Sequence, residues 1–144
     1  TTFYPDLPHN IGDRASWVKI IDFQTLDDGM LGITIQAQCI LAIDSVVAEH
    51  DDLKRGQTSE RPHWQQYAHN EQTRMLANKL EQLFEVNPIL QTFYPNPDYD
   101  NANWVCLRWL ELLPMNATEK SNFFEPNSFE QAVDLLSTVG LVGR

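Results

Sequence analysis

His63 and His69 bracket Trp64, Gln65, Gln66 and Tyr67, with Glu60 and Glu71 close by. Imidazoles beside carboxylates are the raw material of a zinc site. The spacing, however, is neither the His-Glu-x-x-His of a helical metalloprotease nor that of a zinc finger. The two are read as surface histidines at a strand-to-helix junction, and no metal or other cofactor is expected. Asp27-Asp28 and Asp51-Asp52 are the paired carboxylates. Both pairs fall where turns are expected, and Asp is favoured in turns because its carboxylate bonds nearby backbone. No acid–base pair is assigned to them. Ser16, Ser45, Ser59, Ser121, Ser128 and Ser137 lack the glycine frame that exposes a nucleophilic serine. The six glycines are dispersed, so no phosphate-cradling loop exists and no ATP use is implied. Cys39 and Cys106 lie in apolar runs and read as buried free thiols. No catalytic residue is assigned, and the chain is not expected to be an enzyme.

Aromatic side chains are the candidates for binding rather than for catalysis. Trp and Tyr anchor interfaces because they combine a large apolar area with a polar tip. Trp104 and Trp109 lie in a segment apolar on nearly every side, so packing explains them. Trp64, beside polar Gln65 and Gln66, is the better candidate for exposure. Together with Tyr67, Phe93 and Tyr94 it makes the candidate binding surface, at the junction of strands and helices, with ordinary packing as the alternative for each.

The elements that would position these residues change character near residue 66. Residues 17–23 alternate, with Trp17, Lys19, Ile21 and Phe23 on one side and Val18, Ile20 and Asp22 on the other. Asp28-Gly29 between apolar runs predicts a hairpin turn. Residues 31–37 and 39–49 predict two further strands, and residues 57–66 a return strand with Pro62 at an edge or bulge. From Asn70 the period becomes helical: Met75, Leu76, Lys79, Leu80, Leu83 and Phe84 recur at i, i+3, i+4. Asn70 is a plausible N-cap, and Asn87-Pro88 a stop. A helix over 104–113 ends at Pro114. Asn116 or Thr118 caps a short helix, and Asn127 or Ser128 caps the last one. The expected organisation is a β-rich part, residues 1–66, and a helical part, residues 67–144, together one α+β domain.

Bulk properties are those of an ordinary globular domain. The chain has 144 residues, 42% of them hydrophobic, enough for a core without staples. Its formal net charge is −10, with only ten Lys and Arg, and these are scattered. Phosphate contacts need clustered cations, so neither nucleic acid nor an anionic membrane surface is an expected partner. No apolar run reaches the ~20 residues that a membrane span requires. No signal peptide is read, and a cytoplasmic location is expected.

Three stretches carry a family resemblance. The first runs Asn10-Ile11-Gly12-Asp13-Arg14-Ala15-Ser16-Trp17-Val18-Lys19-Ile20-Ile21-Asp22-Phe23, then Leu26-Asp27-Asp28-Gly29-Met30-Leu31-Gly32-Ile33-Thr34-Ile35. The second is Pro97-Asp98-Tyr99-Asp100-Asn101-Ala102-Asn103-Trp104-Val105, and the third Leu107-Arg108-Trp109-Leu110-Glu111-Leu112-Leu113-Pro114-Met115 with Glu119-Lys120 after it. In this order they resemble the N-terminal, substrate-binding domain of Lon proteases, and especially its stand-alone bacterial members. The resemblance implies a β-rich PUA-like pseudo-barrel followed by a helical part. Family members open with further strands ending in an Ile-Phe-Glu…Arg-Tyr stretch that this sequence lacks, so the barrel is expected to be incomplete at its N-terminal edge. In full Lon proteases the domain helps recognise unfolded or tagged substrates, while the ATPase and Ser-Lys protease domains lie downstream. The resemblance therefore implies a non-catalytic domain for unfolded or extended polypeptide segments, with a homo-oligomer or structural role as the alternative and an enzyme with an unassigned pocket third.

Overall fold

The computed structural model describes residues 12–141. The chain divides into two compact units, and the boundary falls between Pro62 and His63.

The first unit is a three-stranded antiparallel sheet in the order β1 (Arg14–Thr25), β2 (Leu31–Ala48), β3 (Lys54–Arg61). Among the described residues the sheet is open, and no barrel closes. The β1–β2 turn is built as its sequence predicts. Gly29 has φ +81°, and its N–H donates to Leu26 O at 2.9 Å. The Met30 N–H donates to the Asp28 carboxylate at 3.0 Å. A positive φ is nearly free of strain only for glycine. In the β2–β3 turn Asp52 takes φ +63°, which Asp tolerates better than most residues. The Leu53 N–H donates to Asp51 Oδ1 at 3.1 Å there. The two Asp pairs thus serve turns.

Sequence reading predicts two strands where the structure has one, β2, of 18 residues. Two β-bulges explain the difference. Trp17 pairs with Cys39 and Val18 with Ala37, leaving Gln38 unpaired; Ile43 pairs with Thr58 and Ser45 with Gln57, leaving Asp44 unpaired. An extra residue shifts the in–out phase without ending the strand. Gly56 pairs with Val46 just beyond the second bulge, and a Cβ there would sit 2.9 Å from Ser45 O.

The helical unit holds α1 (Glu71–Glu85), α2 (Pro88–Phe93), α3 (Ala102–Leu112), α4 (Ala117–Ser121) and α5 (Phe129–Leu136). A 3-10 turn, Asn122–Phe124, follows α4, and a π-type turn, Ser137–Leu141, follows α5. Asn70 caps α1: its side chain accepts from Thr73 N while Thr73 Oγ1 accepts from Asn70 N. Asn116 and Glu119 make the same reciprocal pair on α4. Each box satisfies two backbone donors that a helix start leaves open. The core is helix against helix. Leu76 and Leu80 of α1, Val105 and Cys106 of α3, and Ala132 and Leu136 of α5 are all fully buried. Burying each large aliphatic side chain contributes about 1.5–3 kcal/mol. Trp109 adds a polar tie, its indole N–H donating to Leu76 O at 3.0 Å. Among the described residues no helix is long and apolar enough to cross a membrane.

The boundary comes earlier than the expected change near residue 66 because residues 63–69, though neither helix nor strand, are sewn to the helices. His63 Nε2 donates to Phe123 O at 2.7 Å, and Trp64 Nε1 donates to Ser128 Oγ at 2.9 Å. Gln66 Nε2 donates to Asn101 Oδ1 at 3.0 Å. The Tyr67 N–H donates to Asn103 Oδ1 at 3.1 Å, and Asn103 Nδ2 donates to Gln65 O at 2.8 Å.

Candidate functional site

The four aromatic residues expected to form one binding surface fall into different environments. Trp64 is buried, only 8% exposed, which corrects the expectation that it faces solvent. Its ring lies edge-on to Phe129, with centroids 5.2 Å apart, and stacks on His63. Tyr67 stacks flat on the other side of the same cluster, 4.0 Å from Phe129. Gln65 and Gln66 are themselves exposed, while Trp64 turns inward; Asn103 Nδ2 holds the Gln65 carbonyl and Gln66 Nε2 donates to Asn101 Oδ1. Tyr94 belongs to a second cluster with Phe84, Trp104 and Arg108. The Arg108 guanidinium lies 4.6 Å from the Tyr94 ring centroid, and the Tyr94 hydroxyl donates to the Glu111 carboxylate at 2.7 Å. Burial, reinforced by that carboxylate, pushes the Tyr94 phenol up to about 12. Of the four, Phe93 stands open, at 65% exposure, beside exposed Ile89 and Val86.

His63 and His69 are held by the helical unit. A carbonyl oxygen can only accept, so His63 carries its proton on Nε2 toward Phe123 O. The same logic puts a proton on His69 Nε2, which donates to Tyr99 O at 2.9 Å, while Nδ1 meets Thr73 Oγ1 at 2.9 Å. Both ring nitrogens of His69 are therefore engaged. They are part-buried rather than on the surface, contrary to expectation, because the backbone of the helical unit supplies their partners. Among the described residues no three His, Cys, Asp or Glu converge as metal ligands. Cys39 and Cys106 are free, and burial pushes the Cys106 thiol up to about 12. A groove of about 440 Å³ in the helical unit is lined by Leu113, Met115, Phe123 and Leu135, with Glu119 as its charged group. It presents no nucleophile paired with a base.

The surface that stands out was not singled out from sequence. The register pairs Val18 with Ala37, Ile20 with Ile35, Phe23 with Ile33 and Thr25 with Leu31. Paired residues share a face, and β2 alternates, so these eight residues lie on one side of the sheet. Phe23 is 73% exposed and Leu31 68% exposed, and Ile20, Ile33 and Ile35 are more than half exposed. No residue on this face carries a charge, although the chain's net charge is −10. The opposite face over the same stretch holds Lys19, Asp22, Gln24, Gly32, Thr34 and Gln36.

Sequence alternation had put Phe23 with Lys19 and apart from Ile20. A third bulge overturns this: Ile20 pairs with Ile35 and Asp22 with Thr34, so Ile21 has no partner and the phase of β1 flips. Half of the face was legible, since Ile33, Ile35 and Ala37 alternate with Thr34 and Gln36. The bulge was not, because Ile21 is as apolar as its neighbours.

No family model matches the chain, and no curated protein matches it. Among solved structures it is similar to the Lon N-terminal domain protein from Xanthomonas campestris, with a TM-score of 0.64 and 19% identity. The match covers 88% of this chain and 68% of that one. The chain therefore has the α+β fold of a Lon N-terminal domain. At that identity the likeness concerns the fold alone, and no residue role is carried across.

Proposed function

We propose that the chain is a non-catalytic domain that recognises unfolded or extended polypeptide segments. The observation that carries this reading is the uncharged apolar face of the sheet, with Phe23, Leu31 and Ile33 more than half exposed. Contiguous exposed apolar surface on a protein mostly marks an interaction site. The absence of charge on this face suits apolar side chains of an unfolded chain and does not suit phosphate. The likeness to a Lon N-terminal domain supports the same reading at the level of fold.

Titrating a fluorescently labelled unfolded polypeptide, with light scattering on the same sample, tests it. Saturable binding is expected. Phe23→Lys should weaken it by roughly tenfold or more, because one apolar side chain is worth about 1.5–3 kcal/mol and tenfold is about 1.4 kcal/mol. A well-folded sample that binds no polypeptide would sink the reading. A stoichiometric dimer lost on Phe23→Lys, without peptide binding, would assign the face to assembly instead.

A further inference from the structure

α2 reverses the usual placement of side chains on a surface helix. Such a helix buries its apolar stripe and turns polar residues to water. α2 has no buried residue, and polar groups tie it down instead. Asn87 Nδ2, at its N-cap, donates to Leu83 O at 2.7 Å, and Gln91 Nε2 donates to Phe84 O at 2.8 Å. Both acceptors are last-turn carbonyls of α1, which a helix end leaves open. Ile89 and Phe93, one turn apart, face outward beside Val86. Ile89 is 70% exposed and Val86 74%. The chain on both sides of this patch is described throughout, from Glu71 to Asn101, and it lies wholly within the helical unit.

The same end of α1 is electrostatically one-sided. A helix C-terminus carries partial negative charge and favours a cation. α1 has no basic residue in its last turn and ends on Glu85, with Glu81 one turn before. The amides of Asn87 and Gln91 satisfy the carbonyls without adding charge. Burial, then the Glu81 and Glu85 carboxylates, push the Tyr99 phenol above its ordinary value, so the two charges are felt at one place. Residues 80–107 hold Glu81, Glu85, Asp98 and Asp100 and no Lys, Arg or His. An apolar patch at a negative helix end that bears two carboxylates fits a partner that brings cations with its apolar side chains.

We propose that Val86, Ile89 and Phe93 form a docking surface for a basic segment of another protein, one that sets apolar side chains among Lys or Arg residues. The apolar side chains cover the patch, and the cations lie against Glu81, Glu85 and the end of α1. The amide ties of Asn87 and Gln91 hold the patch in place before the partner arrives, so little ordering is needed on binding. This surface is separate from the sheet face and does not rest on it.

The test uses the full chain and three labelled synthetic peptides of equal length. The first sets Leu among Lys, the second replaces its Lys by Glu, and the third replaces its Leu by Ser. Fluorescence anisotropy at low salt should show saturable binding of the first alone. Phe93→Ser and Ile89→Ser should each weaken it by roughly tenfold or more, the value of one buried apolar side chain. Their urea midpoints should match that of the parent chain, since neither residue is in the core. Glu81→Gln with Glu85→Gln should weaken binding by roughly two- to fivefold and flatten its salt dependence. Glu60→Gln with Glu130→Gln makes the same charge change elsewhere and should leave it unchanged. Hydrogen exchange should slow at residues 86–93 on binding. Equal weakening by the two Gln pairs would reduce the effect to net charge and overturn the proposal. Failure of the first peptide to bind, equal binding of the Ser peptide, or full binding by both Phe93→Ser and Ile89→Ser would overturn it as well. Protection confined to residues 18–37 would move the peptide to the sheet, overturning this surface while leaving polypeptide recognition intact.

Discussion

Trp64 shows how a single side chain can mislead. Its sequence neighbours are polar, yet its indole N–H meets a hydroxyl 64 positions away and its ring meets Phe129. Burial here is decided by long-range contacts that no local pattern encodes. Trp64→Ala is therefore expected to act on stability, costing about 3–5 kcal/mol as buried large-to-small changes do. Urea unfolding measures the loss, and polypeptide affinity per folded molecule should be unchanged. The two raised acids give a pH signature. Tyr94 and Cys106 both hold their protons to about 12 in the folded state, against ordinary values of 10.0 and 9.0. The unfolded chain releases these protons first, so their contribution is complete below pH 9 and disappears as pH rises from 9 to 12. The urea midpoint should fall across that window. Tyr94→Phe should flatten the part of the fall above pH 10, and a midpoint independent of pH there would contradict the assignment.

At the scale of elements, helix starts and tight turns were legible and strand phases were not. Asn70 before Glu71, Asn116 three positions before Glu119, and Asp28-Gly29 between apolar runs are local chemistry, and local chemistry decided them. Asn70→Ala is expected to lower stability by about 1 kcal/mol through loss of the cap, read as a shift in denaturation midpoint. Bulges depend on how two strands match over their length, so Ile21, Gln38 and Asp44 gave no warning. Gly56→Ala tests the bulge beside its partner Val46. With a backbone oxygen 2.9 Å from the new methyl, the sheet must shift, and a cost of about 1–3 kcal/mol is expected. The exposed patch of Val86, Ile89 and Phe93 should behave differently. Phe93→Ser touches no core and should leave stability within about 0.5 kcal/mol.

Across the molecule, the two units solve the burial problem unequally. The helical unit closes a core around Leu76, Leu80, Val105 and Leu136. Among the described residues the sheet unit pairs its backbone but leaves one apolar face exposed. Composition could not distinguish these cases, because both halves are comparably apolar in sequence. The α+β class followed from periodicity, whereas the location of the candidate site required the register.

The placement of the two thiols has a practical consequence. Cys106 lies in the core of the helical unit and reacts only when that unit opens. Cys39 lies half-buried on β2, paired with Trp17 of the edge strand. Alkylation should therefore proceed in two kinetic phases. The slow phase reports the opening free energy of the helices, and a probe on Cys39 reports events at the sheet, so one reagent reads each unit without any engineered residue.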